Sequence, residues 1–496
     1  MRRKTLILTF VIIIFSFIIL NRLFISRLPI CRKLPSNTPS LSTLTWKDNH
    51  DELWKIPEWV EQYNVSHLFD WTWHKNSDYK RCRPPITRSP QAETCSAGSP
   101  IVVNNALEFF RSHPEHGCVV DDIARLPNLI PHPLPRTRSL SDTCSALNIK
   151  RDWILCNKPQ VELDRWLPTT TRFITVAIFN AYVDTGHCHP DVPGTIFTEY
   201  ATYHLQRWTN KWCNNDPIRQ IPIVEAQYQH SELIDTIGNY LSAPGHFGPQ
   251  QLPRLLRLLA TAPKTAKVLV AKGGVADGLI DILVDRGVVT HDRIVPYEKQ
   301  NPSYHYAHIV YRSEAWPYLS DARNSHYVHD RTDMQLIHRV LAADKQGSHT
   351  KRNLVILIKR KIGGTRSIIE HSNVALFIES ALNKSKLAND LHLAIFEAHG
   401  HMREHIDLFR RARIIVGPHG AGMMNILWAP PGTHVVEVGY TDGMRFPDMY
   451  AEMSLHLDHH YWICKGHGNY AEPIHIDMED FTFIFNKIIY EIENAK

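Results

Sequence analysis

Ile414-Ile415-Val416-Gly417-Pro418-His419-Gly420-Ala421-Gly422 is the stretch on which the reading of this chain turns. Three β-branched aliphatic residues make a buried strand, the strand stops at a glycine, and the apolar run from Ala421 to Trp428 predicts a short helix after it. A strand that ends in a glycine-rich turn and opens a helix leaves free backbone N–H groups and the positive end of the helix dipole at the C-terminal edge of a sheet. That is an anion site. Gly417, Gly420 and Gly422 let a phosphate approach the backbone, with Ala421 between them, and His419 can donate to a phosphate oxygen or a sugar hydroxyl. Tight packing alone would also use such glycines. The spacing is G-x-x-G-x-G; neither the dinucleotide pattern G-x-G-x-x-G nor the P-loop pattern G-x-x-x-x-G-K-[ST] occurs, so neither a hydride cofactor nor a P-loop is supported.

Outward from this stretch, residues 354–358 and 393–396 are further apolar runs of strand length. Met402, Ile406 and Phe409 recur at helical spacing between the second run and Ile414, and Pro430-Pro431-Gly432 leads into another strand at 434–438. Alternating strands and helices predict an α/β fold whose parallel sheet is covered on both faces. Ligands bind at the C-terminal edge of such a sheet. Lys359 and Arg360 directly follow the first strand and Arg366 comes soon after; a solvated basic loop is the plainer alternative. Glu437, inside the apolar run Val435-Val436-Glu437-Val438, can accept the two hydroxyls of a ribose or pair with a nearby arginine. Residues 481–492 form an amphipathic terminal helix.

The other end of the chain reads differently. Arg2, Arg3 and Lys4 precede the apolar run Leu6 to Leu20, which predicts a signal anchor over residues 5–25 with a cytosolic tail 1–4 and a luminal remainder. No small-x-small site follows, which disfavours a cleaved signal peptide. Nine cysteines fit that compartment. Setting aside Cys31, which can pair between chains in a disulfide-linked dimer, leaves an even set of eight, compatible with four disulfides. The triplets Asn64-Val65-Ser66 and Asn383-Lys384-Ser385 are glycosylation acceptors by pattern. Residues 26–170, rich in Pro, Ser, Thr and Trp, read as a stem and a cysteine-rich irregular region. A formal charge of +5 over 496 residues, with no basic stripe, argues against nucleic acid as a partner.

Several of these segments together resemble glycosyltransferase family 61. They are Lys359-Arg360 and Arg366 after a strand, the helix end Leu408-Phe409-Arg410-Arg411-Ala412, the loop Gly417 to Asn425, and Pro430-Pro431-Gly432 before Val435-Val436-Glu437. Upstream, His246 followed by Leu252-Pro253-Arg254-Leu255-Leu256 is similar to another family segment, so the resemblance spans roughly residues 240–450. It implies a GT-B-like architecture of two Rossmann-like lobes: an N-terminal acceptor lobe at 171–345 and a C-terminal nucleotide-sugar donor lobe at 346–450, closed by 451–496. It also implies inverting transfer of a sugar, xylose or GlcNAc, from a UDP-sugar to a glycan or glycoprotein acceptor. The setting implied is the Golgi or ER membrane, type II, with a luminal catalytic domain.

Inversion needs a base on the acceptor hydroxyl and cations on the departing diphosphate. Lys359, Arg360, Arg366 and the His419 loop are the candidates for the second task, and His246 for the first. No D-x-D clamp occurs, so no metal cofactor is expected. The run His456-Leu457-Asp458-His459-His460 is read as a turn or a lobe contact before a metal site. A catalytically inactive luminal binding protein of the same fold is the alternative function, and a Golgi sulfotransferase a more distant one.

Overall fold

The structure is a computed structural model, and it describes residues 56–69, 101–103, 106–124, 136–146, 172–189, 192–198, 201–203, 226–237, 245, 247–298, 301, 303–316, 331–343, 350–440 and 448–495. The expected membrane span at 5–25, Cys31 and His246 lie outside them. Among the described residues no helix is long and apolar enough to cross a membrane.

Nine of the described strands form a first sheet: β1 (Ile101–Val103), β2 (Gly117–Ala124), β3 (Arg172–His189), β4 (Val192–Phe197), β5 (Ala201–Tyr203), β6 (Tyr228–Asp235), β7 (Lys267–Ala271), β8 (Ile294–Tyr297) and β9 (Tyr304–Trp316). One half, β9-β6-β7-β8, is parallel, with the helix Gly274–Asp285 crossing from β7 to β8. The other half departs from the expected Rossmann-like lobe, because β3 pairs antiparallel with β2, β4 and β9. Only two residues separate His189 from Val192, too few for a crossover, and so short a link forces β3 and β4 to run antiparallel.

The segment 26–170 is likewise less irregular than its composition suggests. It supplies β1 and β2 to this sheet and the short helices Glu58–Gln62, Ala106–Ser112 and Leu140–Ala146. Trp59, Val60, Val65 and Leu68 are buried in the main core, and the Tyr63 hydroxyl donates to the Arg286 carbonyl at the end of the helix Gly274–Asp285. Their apolar positions are too few in each element to be read as periodic, and they gain their partners from far along the chain.

The second sheet holds the opening stretch. Its strands are β10 (Leu354–Ile358), β11 (His392–Phe396), β12 (Ala412–Pro418), β13 (His434–Val438) and β14 (His460–Cys464), all parallel, ordered β11-β10-β12-β13-β14. The fully buried pattern of β10 and β13 is what a parallel sheet covered on both faces requires. The helix His371–Lys384 crosses from β10 to β11, and its Phe377 meets Phe481 and Phe485 of the terminal helix Met478–Asn494 edge to face. The helix Met402–Arg410 returns to β12, burying Met402, Ile406 and Phe409. β14 lies beyond residue 450, so the segment expected only to close the lobe contributes a strand to its sheet. A two-stranded antiparallel hairpin, β15 (Gly466–His467) and β16 (His475–Ile476), follows at once.

Candidate active site

In chain order the second sheet runs 2-1-3-4-5, so the connections from β10 and into β12 leave on opposite sides of the sheet. Their C-terminal ends form the switch point where doubly wound sheets bind ligands. Ile358 passes there into Lys359-Arg360, and Pro418 passes into His419-Gly420.

Two guanidinium groups converge on Gly420. A Cβ placed on Gly420 would collide with Arg360 Nη1 and would lie 3.8 Å from Arg366 Nη1. Arg360 donates to the Thr365 carbonyl at 2.7 Å and to Thr365 Oγ1 at 3.2 Å. Arg366 lies 4.1 Å from the centroid of the Tyr470 ring, at a left-handed backbone position with φ 57°. Among the described residues no carboxylate pairs with either arginine. Partial burial, and then the adjacent Arg366 charge, push the Arg360 guanidinium below its usual value. Two like charges held side by side repel each other and favour an anion between them. Gly420 itself has φ 148°, a conformation that resists any side chain.

The other two glycines of the loop serve packing. A Cβ on Gly417 would lie 2.9 Å from Ile358 Cβ, and one on Gly422 would lie 2.8 Å from Ile358 Cγ2. They let the β12 turn close against the neighbouring strand, and only Gly420 borders the cationic face. The helix that follows, Ala421–Trp428, is a 3₁₀ helix that begins at Gly420, whose carbonyl accepts from Met423 N and from the Tyr450 hydroxyl. Ala421 is exposed and abuts Gly245, where an added Cβ would be 3.1 Å from Ala421 Cα and 3.5 Å from the Tyr450 hydroxyl. The segment leading to His246 therefore reaches the Gly420 loop.

His419 is held from behind. Its Nδ1 is 2.7 Å from Glu437 Oε1, and the Tyr461 hydroxyl donates to Glu437 Oε2 at 2.6 Å. Glu437 is fully buried on β13, directly beside Gly417. Glu437, expected to receive a ribose or pair with an arginine, meets the His419 ring and the Tyr461 hydroxyl among the described residues. A carboxylate at Nδ1 requires a proton there, which fixes the tautomer and the orientation of the ring. Lys359 is drawn aside to Glu397 at the end of β11, both groups being partly exposed. In the His-rich run, Arg331 holds Asp458 with bonds of 2.7 and 2.8 Å, and buried His459 lies 3.1 Å from the Ile426 carbonyl.

Tyr450, Tyr461 and Tyr470 escaped the sequence reading. The apolar run Tyr461-Trp462-Ile463-Cys464 was the available signal for β14, while nothing local marks Tyr450 or Tyr470.

No curated protein matches the chain. A family model described as Glycosyltransferase 61 matches residues 244–436, from the segment that abuts Ala421 to the residue before Glu437. The stretch that carries Arg360, Arg366 and the Gly420 loop thus matches glycosyltransferase family 61, and that match supports glycosyl transfer as the activity.

Proposed function

We propose that this protein is an inverting glycosyltransferase of the secretory pathway, anchored as a type II membrane protein by residues 5–25, that moves a sugar from a UDP-sugar to a glycan or glycoprotein acceptor. Xylose and GlcNAc are the expected sugars, and a GT-B-like pair of lobes is the architecture. One observation carries the reading: Arg360 and Arg366 lie side by side, without a carboxylate partner among the described residues, against Gly420 at the switch point of a parallel sheet. A nucleoside diphosphate supplies the missing charge.

The chemistry follows from charge development. As the bond from the anomeric carbon to the diphosphate oxygen breaks, negative charge grows on the leaving group, and preorganised donors there lower the barrier. Arg360 and Arg366 supply fixed positive charge. His419, braced through Glu437 and Tyr461, is the proposed partner of a phosphate oxygen or a sugar hydroxyl. Those cations fit the role that a metal fills in D-x-D enzymes, so transfer is proposed to need no metal. Nucleophilic attack requires removal of the acceptor hydroxyl proton, and His246 is the proposed base, one residue after the Gly245 that abuts Ala421.

Thermal shift of the purified luminal portion against a panel of UDP-sugars, followed by measurement of UDP released with and without acceptor glycans, tests the reading. A bound donor at 100 times its Kd adds about 2.7 kcal/mol. Stabilisation by one UDP-sugar and acceptor-dependent UDP release are expected. Stabilisation without release points to a binding protein, and no response to any UDP-sugar ends the proposal.

A further inference from the structure

Arg366 is gripped by a part of the chain that lies outside the stretch matched to family 61. The hairpin of β15 and β16 folds back over residues 366–370. Arg366 N donates to the Glu472 carbonyl at 2.6 Å, Ile474 N to the Ser367 carbonyl at 2.8 Å, and Ile369 N to the Ile474 carbonyl at 3.0 Å. Glu370 closes the seam by meeting His475 Nδ1 at 2.6 Å and accepting from Ile476 N at 3.1 Å. At the tip, Tyr470 lies under the Arg366 guanidinium and is itself 46% exposed, so its ring is not buried for packing alone. Tyr440, buried next to His419, touches the Tyr470 ring edge to face at 6.2 Å and lies 5.9 Å from the His419 ring.

These contacts do something that an ordinary loop could not. Arg366 has a left-handed backbone, a conformation that costs free energy outside glycine and persists only when neighbours over-determine it. Its guanidinium is also placed beside a like charge, Arg360, which on its own would drive the flexible side chain out into water. The hairpin opposes both: backbone bonds hold the φ, and the ring face attracts the cation. We propose that the hairpin Gly466–Ile476 is part of the donor site and that Tyr470 is a positioning residue, holding Arg366 flat beside Arg360 so that both face the diphosphate. This inference rests on the diphosphate reading above, and it assigns a role in donor recognition to a segment beyond residue 436.

A double-mutant cycle read by calorimetric titration of UDP tests it, with melting temperature recorded for each variant. Tyr470→Ala is expected to weaken UDP binding about five- to tenfold, the scale of a partly exposed cation–π contact and its ordering effect. Tyr470→Phe, which keeps the ring face, is expected to stay within about twofold of the parent for the same reason. In an Arg366→Ala background, Tyr470→Ala is expected to cost nothing further, a non-additivity that a merely structural tyrosine would not produce. An equal loss from Tyr470→Ala in both backgrounds, or no loss in the parent, overturns the proposal while leaving the diphosphate reading in place. If Arg366→Ala itself binds UDP like the parent, the diphosphate reading falls first.

Discussion

Arg360 and Gly420 meet at one point from two neighbouring strands, and substitutions at them should fail for different reasons. Arg360→Ala removes a preorganised charge from the leaving-group side, which typically costs about 10²–10³ in rate, so a loss of at least about a hundredfold in kcat is expected with the fold intact. Gly420→Val should be as damaging, because its Cβ would occupy the place of Arg360 Nη1 and its φ of 148° suits no β-branched residue. Arg403 is the control: it pairs with Asp285 on the surface, both side chains being more than half exposed, and Arg403→Ala should stay within about twofold in activity. Steady-state kinetics and UDP titration of the three variants check this. Normal UDP affinity in both Arg360→Ala and Gly420→Val would move the anion elsewhere. At this scale the sequence singled out residues but not the partners they meet. Glu437 stood out as a lone carboxylate in an apolar strand, yet its use depends on Tyr461, 24 positions away on the next strand. A position in a strand tells nothing of which neighbour a parallel sheet will bring beside it.

β10 and β12 illustrate what pairing of elements demands. Ile358 ends β10 beside Gly417 of β12, and Gly422 approaches the same isoleucine from the 3₁₀ helix. Gly422→Ala would set a methyl 2.8 Å from Ile358 Cγ2, and overpacking of this kind costs about 1–3 kcal/mol. Ile358→Ala alone should also destabilise, by about 2–5 kcal/mol, through the cavity it leaves. The double variant should cost clearly less than the sum, since the smaller side chain makes room for the added methyl. Urea denaturation of the two single variants and the double variant measures this; simple additivity would mean that the close approach to Ile358 is not why Gly422 is a glycine. Strand and helix positions in this half were legible because apolar spacing is a local property: Met402, Ile406 and Phe409 predict a helix wherever it packs. The 3₁₀ form of Ala421–Trp428 was not legible, since hydrophobic spacing over eight residues does not distinguish the two kinds of turn.

Across the whole molecule, buried histidines and one cysteine carry the consequences of burial. Burial, assisted for His434 by the charge of His460, pushes His434 and His459 down to about 3. An unfolded histidine takes up its proton near pH 6.5, whereas these two resist it in the fold. Their contribution is therefore intact above about pH 6.5 and is lost as pH falls from there toward 3, by on the order of 1 kcal/mol per pH unit for each histidine. Chemical denaturation should show lower stability at pH 5 than at pH 7, and the double variant His434→Gln/His459→Gln should lose less over that interval; an equal loss would refute the assignment. The cysteines are corrected by the same burial. Cys464, counted in the sequence as one of eight paired cysteines, is a free thiol fully buried on β14, while Cys118 is disulfide-bonded. Removing Cys464 from that set of eight leaves seven, an odd number, so the expected four disulfides within that set cannot all form. Mass spectrometry after alkylation should find Cys464 unlabelled in the native protein and labelled after unfolding without reductant, with Cys118 labelled only after reduction.

By itself the sequence determined the alternation of strands and helices from residue 350 onward, the place of the basic and glycine-rich segments just after two of those strands, and the kinship of residues 244–436 with family 61. Each of these is written in local spacing or in contiguous motifs. Only the tertiary structure decided that β10 and β12 are neighbours at the switch point, that Gly420 alone among the loop glycines borders the arginines, and that Tyr470 lies beneath Arg366, about a hundred positions away. It also decided the antiparallel half of the first sheet and the free state of Cys464. The physical reason is common to all of them: periodicity reports which face of an element avoids water, while the identity of what covers that face is settled by contacts between segments far apart in the chain.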